Sequence, residues 1–309
     1  MTRRSGPFAA GDLVQLTDPK GRMHQIVLAK GATFHTHRGS LSHDDLIGAP
    51  EGSVVTAAGG SGYVALRPLL ADYTLAMKRG ATIVYPKDAA QILAYADIFP
   101  GSRVLEAGAG SGALSCWLLR ATGPSGALVS FERRADFAAI AAANVEKYFG
   151  ETPGWWRLVT GDLSAPAALE SLSGTDPADS PAEPGSFDRV ILDMVAPWEC
   201  LPDVATALAP GGLVCCYVAT TTQLSRVVED LRAHGGFFEP AAWETLVRGW
   251  HLDGLAVRPE HRMIGHTGFL VTARRLAPGV TAPPRRRRPA KGAHSAEDEK
   301  SSQPYATEM

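Results

Sequence analysis

The stretch "RVLEAGAGSGALSCWLLRAT" (103–122) decides how the chain is read. It begins as a short apolar run of the kind buried in a parallel strand, passes through a glycine-rich turn and continues as a helix. The same alternation repeats downstream, at a spacing near ~30 residues that matches one strand-helix unit. "ALVSFE" (127–132) precedes the helical "RADFAAIAAANVEKYF" (134–149), and "WRLVTGD" (156–162) and "FDRVILDM" (187–194) come next. "GGLVCCYVAT" (211–220) is followed by the helical "QLSRVVEDLRAHG" (223–235). Alternation of this kind predicts an α/β fold, a parallel sheet covered by helices on both faces. "WETLVRGWHL" (243–252) and "GHTGFLVTARRL" (265–276) have no helix between them, and are expected to close one sheet edge as an antiparallel pair.

The rest of the chain divides by composition. Residues 1–66 carry short apolar runs, "DLVQLTD", "MHQIVLA", "SVVTAA" and "GYVALRP", separated by turn signals, and read as a small β domain. Between the second and third runs lies "GATFHTHRGSLSHDDLIG" (31–48), polar and glycine-rich, expected to drape over a surface. Residues 67–102 form a helical connector, with helical spacing at Leu69, Leu70, Tyr73 and Met77 and a second helix starting after Pro86. Residues 103–278 form the α/β domain, with a loop over 171–186, and 279–309 are a tail with almost nothing to bury, expected to be disordered.

With 309 residues and 45% hydrophobic content, the chain can bury one large core and a smaller satellite. A formal net charge of −2 means that any polyanion must be met by a local patch. Cys116, Cys200, Cys215 and Cys216 show no CxxC spacing, which predicts reduced thiols in a cytoplasmic protein. No apolar stretch approaches a membrane span, and the two arginines near the start precede no signal-like core. His35, His37 and His43 lie in a polar loop without cysteine partners, so no metal site is expected. Ser111 lacks the G-x-S-x-G context of a nucleophile elbow.

Ligands of a doubly wound sheet bind beyond the carboxyl ends of its strands. Four acids recur there, Glu106, Glu132, Asp162 and Asp193, at intervals of 26, 30 and 31 residues. Gly108, Gly110 and Ala113 satisfy G-x-G-x-x-G/A, with Glu132 20 positions beyond Gly112, where an acid can bind a ribose. Glu106 argues against a dinucleotide, because a carboxylate beside the pyrophosphate would repel it. S-adenosylmethionine has no phosphate, and its amino group, ribose diol and adenine amino group all suit acidic acceptors. Glu132 is assigned to the ribose hydroxyls and Asp162 to the adenine amino group.

"RPLLADYTLAMKRGATIVYPKDAAQI", "VLEAGAGSGAL", "LDMVAPWE" and "GHTGFLV", in this order behind a β domain containing "FHTHRG", resemble the tRNA (adenine-58-N1)-methyltransferases, in particular the actinobacterial single-gene type. The resemblance spans roughly residues 7–280. It implies a class I methyltransferase fold (Rossmann-like, with a mostly parallel seven-stranded sheet), S-adenosyl-L-methionine as donor, tRNA as acceptor, and a cytoplasmic homotetramer. The donor-binding positions it implies are Gly110, Ser111, Gly112, Ala113, Glu132, Phe137, Asp162 and Asp193, to which the residues themselves add Glu106 and Gly108. Phe137 replaces the polar residue common in relatives and is expected to pack on the adenosine.

N1 of adenine already carries a lone pair, so the catalyst must chiefly align it and keep the site dry. Asp193 can accept a hydrogen bond from the N6 amino group as the ring gains positive charge. Tyr73 is expected to hold the flipped base, and Pro197 and Trp198 to shape the pocket. Candidate phosphate grips are Arg38, Lys78, Arg79, Lys87, Arg248, Arg258 and Arg262, and the "RRRR" run (285–288) reads as an ordinary basic tail. A small-molecule or protein methyltransferase is the alternative within the same chemistry, and a noncatalytic RNA-binding subunit the alternative outside it. No DNA substrate is expected, since "DMVAPW" stands where (D/N)-P-P-(Y/F) would be.

Overall fold

The computed structural model describes residues 5–283 except 38, 81, 166–167 and 173–184. Arg38, the "RRRR" run and almost all of the 171–186 loop therefore lie outside the described residues, as does the tail from 284 onward.

The first part of the chain builds its own sheet. Strands β1 (Leu13–Thr17), β2 (Met23–Val27), β5 (Val54–Thr56) and β6 (Gly62–Leu66) are ordered β2-β1-β6-β5, all antiparallel. Its core gathers Phe8, Val14, Leu16, Leu28, Leu41 and Tyr63. The 31–48 segment is more ordered than its polarity suggested. β3 (Thr33–Thr36) and β4 (Gly39–Ser42) pair as a hairpin, because alternation sends Leu41 into the core while the neighbouring serines stay outside. His43 is spent on structure: its Nδ1 accepts the Ala29 N–H at 3.1 Å.

Two connector helices follow, α1 (Leu70–Ala76) and α2 (Pro86–Tyr95), the latter with its proline in the first turn, where a missing N–H costs nothing. The large sheet then collects β7 (Arg103–Ala107), β8 (Ala127–Glu132), β9 (Trp156–Thr160), β10 (Phe187–Asp193), β11 (Leu208–Val218), β12 (Ala241–Trp243) and β15 (Phe269–Arg274). Its order is β12-β15-β11-β10-β7-β8-β9. The β9-β8-β7-β10-β11 stretch is parallel, and β15 pairs antiparallel with both β11 and β12. Helices α3 (Ala113–Thr122), α4 (Ala135–Phe149), α5 (Leu201–Ala207) and α6 (Thr221–His234) cover the faces. Strand alternation divides the interior: Val104 and Ile191 pack with α3 and α4, while Leu105, Val190 and Leu192 pack with α5 and α6. Cys116, Cys200, Cys215 and Cys216 are all buried and unpaired in these cores. No described helix is long and apolar enough to cross a membrane.

The edge differs from expectation. Of "WETLVRGWHL", only Trp243 joins the sheet; Trp250–Asp253 forms β13, which pairs with β14 (Ala256–Pro259) in a separate hairpin. The hairpin leaves Trp250, Leu252, Leu255 and Val257 exposed.

Tyr73 is also corrected. The spacing that places Leu70, Tyr73 and Met77 on one face of α1 turns that face inward, and Tyr73 is 0% exposed. Its hydroxyl donates to the Asn144 carbonyl at 2.7 Å and its ring lies 4.9 Å from that of Tyr148. It is a core residue that ties α1 to α4, with its ring closed off from solvent. Tyr73→Phe is expected to lower stability by about 1 kcal/mol, the net worth of one buried hydrogen bond, with the turnover number unchanged. Denaturant melts alongside rate measurements check this, and a large rate loss at unchanged stability would return Tyr73 to the site.

Candidate active site

The chain runs outward from β7 in one direction through β8 and β9, then crosses back to β10 on the other side. The crevice at such a switch point is where an open sheet binds ligands. Here the register is Ala107 against Leu192 on one side and against Phe131 on the other. Gly108, Asp193 and Glu132 therefore stand level at the mouth of the crevice. A Cβ on Gly108 would lie 1.9 Å from the Asp193 carbonyl oxygen, and its φ of +89° is itself a glycine conformation. No side chain fits between these strand ends.

Above them opens a cavity of about 560 Å³, within the range of small-molecule sites. Gly108, Gly110, Glu132, Phe137, Asp162 and Asp193 line it. Glu132 accepts the Gly110 N–H at 2.8 Å and the Arg134 N–H at 3.0 Å, one on each oxygen. A carboxylate has about four acceptor positions, so each Glu132 oxygen keeps one for a ligand. Asp162 uses a single oxygen, Oδ1, for the backbone N–H and the hydroxyl of Ser164, at 3.0 and 2.8 Å. Phe137 closes one side, with the Arg134 guanidinium 3.3 Å from its ring centroid.

Asp193 is half-buried, and no described residue donates a hydrogen bond to its carboxylate. Burial, then the charges of Glu106 and Glu132, push its pKa up to about 7. This donor set fits S-adenosylmethionine: acidic acceptors, an aromatic wall and a turn closed to side chains. Glu132 and Asp162 would hold it, and it supplies an electrophilic methyl group when bound.

Glu106, Ser111, Gly112 and Ala113 do not line the cavity. Glu106 lies two residues deeper than the level of Glu132 and Asp193, an offset hidden in the sequence intervals. It is fully buried beneath the turn, accepting from Ser115 Oγ at 2.7 Å and Ser130 Oγ at 2.5 Å, while its Oε1 has no partner. Burial pushes its pKa up to about 7, against the lowering effect of the two serines. Ser111 faces the connector, where its Oγ accepts the Gly80 N–H at 3.1 Å. Gly112 is the left-handed cap of α3, and a Cβ there would press on Ala141 at 3.0 Å. Ala113 is buried as the first residue of that helix.

Trp198 does not wall the cavity either. Pro197–Cys200 forms a 3-10 turn that directs Glu199 toward the cavity, while the Trp198 ring is stacked by Arg226 at 4.1 Å. Lys87 is no phosphate grip: its ammonium donates to Asp88 Oδ1, the Thr245 carbonyl and Thr267 Oγ1, at 2.7, 2.7 and 2.6 Å. Lys78, Arg79, Arg248, Arg258 and Arg262 remain exposed, although Arg79 donates to the Leu75 carbonyl. Among the described residues, no group of three or more His, Cys, Asp or Glu is placed to hold a metal.

Sequence reasoning missed Tyr217, Thr267 and Gln223, all on the cavity wall. Tyr217 pairs with Asp193 in register, so following the end of β11 as closely as the acidic strand ends would have found it.

Comparison with known proteins agrees with this geometry. Residues 6–55 match the TrmI-like N-terminal family and residues 63–162 the family described as tRNA methyltransferase complex GCD14 subunit. The tRNA (adenine(58)-N(1))-methyltransferase TrmI of Thermus thermophilus is 35% identical over 260 residues, covering 84% of this chain and 95% of that protein. A SAM-dependent O-methyltransferase from Thermotoga maritima superposes with a TM-score of 0.76 at 28% identity, over 87% of this chain and 95% of that one. The tRNA (m1A58) methyltransferase TrmI of Aquifex aeolicus superposes with a TM-score of 0.70 at 26% identity, over 88% of this chain and all of that one (100%).

Gly108→Ala is expected to abolish measurable S-adenosylmethionine binding, because the strand ends must part to admit the methyl group. It should cost at least about 1 kcal/mol of stability. Calorimetric binding and melting curves check this, and wild-type affinity would refute the close approach. With the strand register, the acid-lined cavity and the 35% identity over most of both chains together, the chain belongs to the tRNA (adenine-58-N1)-methyltransferase family.

Proposed function

We propose that the chain methylates N1 of adenine 58 in the T-loop of tRNA, with S-adenosylmethionine as donor. The observation that carries the reading is Asp193, a cavity carboxylate beside the glycine turn that no described group satisfies. Glu132 takes the donor's ribose diol, Asp162 its adenine edge, and Phe137 packs on the adenosine. Asp193 accepts from the N6 amino group of the target, which becomes a better donor as positive charge develops on the ring. Tyr217, level with Asp193, takes the aromatic role expected of Tyr73 and walls the target base. No strong base is required, since the N1 lone pair is already available.

Asp193 must be ionised to accept this bond. Its raised pKa means that the fraction in the accepting form grows as pH climbs through about 7. The turnover of purified protein with labelled S-adenosylmethionine and unmodified tRNA should therefore rise over that interval, with label mapped to N1 of adenine 58. Asp193→Asn should lower kcat by at least about a hundredfold, the scale of losing one transition-state hydrogen bond, and remove the rise through pH 7. Label on an oxygen, on an exocyclic amine or in a small molecule would overturn the assignment.

The working form is a homotetramer in the cytoplasm. Support for assembly comes from the β13–β14 hairpin, where Leu252 is 73% exposed and Leu255 fully so (104%), a surface that a second copy would cover. Sedimentation should give four chains for the wild type and fewer for a Leu252→Asp, Leu255→Asp double variant. A monomeric wild type at micromolar concentration would rule assembly out.

A further inference from the structure

His266 sits at the entrance to β15, immediately before the cavity residue Thr267. Its Nε2 lies 2.8 Å from the Ala219 carbonyl oxygen, and its Nδ1 lies 3.0 Å from Glu244 Oε2. Both partners only accept. A neutral imidazole carries one N–H, so one of the two contacts would then set a nitrogen lone pair against an oxygen lone pair. With Glu244 as a carboxylate, the imidazolium is the form with an N–H for each contact.

The two contacts join segments that converge on one rim of the cavity. Ala219, itself a lining residue, follows the end of β11, and its N–H donates to Gln223 Oε1 at 3.1 Å. Gln223 Nε2 donates in turn to the Val195 carbonyl at 2.8 Å, two residues beyond Asp193. Glu244 follows Trp243 at the end of β12. On the other side, Thr267 donates to Asp88 Oδ2 at 2.5 Å and so reaches α2. His266 is thus the link between the β11 exit, which carries Ala219, and the β12 edge.

We infer that His266 is a positioning residue for the acceptor side of the cavity: protonated on both ring nitrogens, it straps the Ala219 carbonyl to Glu244 and releases the strap when it loses a proton. The inference rests on the tRNA reading above. The groups facing the ring are the Ala219 carbonyl from β11, Glu244 beyond β12, the Phe269 ring at 4.6 Å from β15, and Lys87 from α2. Lys87 opposes protonation, but its charge is engaged by Asp88 at 2.7 Å. The carbonyl and Glu244 prevail, holding the imidazole pKa above its ordinary value. A raised value means that the strap is complete at low pH and is lost as pH rises through the folded-state pKa.

The strap acts where Asp193 acts, but with the opposite pH sign, and the two separate by mutation. In full-length His266→Ala, kcat/KM for tRNA should fall roughly fivefold at pH 7, the upper range for an exposed charged pair. The Kd for S-adenosylmethionine should be unchanged, because Glu132 and Gly110 lie across the cavity. His266→Arg, a permanent cation with donors on two sides, should restore kcat/KM and keep it from falling at pH 8.5. Wild-type kcat/KM should decline there relative to His266→Arg. NMR titration of the His266 ring should give a midpoint above 6.5, the ordinary value, falling in Glu244→Gln. Equal kcat/KM in the wild type and His266→Ala across pH 6–9, or failure of His266→Arg to restore activity, would overturn the proposal. If no form methylates tRNA, the functional reading fails separately. The ring titration then decides the strap alone: a midpoint no higher than in Glu244→Gln overturns it.

Discussion

The close approach of Gly108 to the Asp193 carbonyl is the constraint on which the site depends. Two parallel strands that diverge in connectivity must still meet at their ends, and one of them has to turn through a left-handed conformation to do so. That turn brings the Gly110 N–H to Glu132, which sets the orientation of the carboxylate assigned to the donor. It also leaves Asp193 at the lip of the sheet, without a described partner. One backbone contact thus positions both halves of the chemistry.

The acids around this contact are crowded. Glu106 lies below with two serine donors and one oxygen orphaned, and Asp193 and Glu132 stand above it. Burial dominates the raised affinity of Asp193 and Glu106 for protons, and mutual repulsion adds to it. A cationic ligand entering the cavity would ease both terms at once. The crowding of these carboxyl groups therefore favours a positively charged occupant.

The parallel sheet was legible because βα units repeat at a regular interval, and the family because several motifs occur in one order behind a β domain containing "FHTHRG". Strand-end acids were legible as a set but not in depth: intervals of 26, 30 and 31 residues do not reveal that Glu106 lies two positions inside the strand. Tyr73 misled because an aromatic on an apolar helix face looks the same in sequence whether that face meets a ligand or a core. Lys87 misled for a related reason, since its partner Thr267 is 180 residues away. The expected edge pairing with β15 holds only at Trp243, while Trp250 pairs in a separate hairpin, a split that depends on three-dimensional register.

Asn144 gives the connector a different standing from the one its composition suggests. Its side-chain amide donates to the carbonyls of Lys78 and Ser111, both at 2.9 Å, and its own carbonyl receives the Tyr73 hydroxyl. Gly80 meanwhile packs so closely on Phe137 that a methyl group there would overlap the ring. The segment from α1 to Gly80 is thus part of the scaffold that shapes the end of the cavity walled by Phe137. A chimera that exchanged the N-terminal sheet between relatives would keep a working site if spliced near residue 67, and would dismantle it if spliced near residue 102. The modular unit of this enzyme begins a full connector earlier than its sheet does.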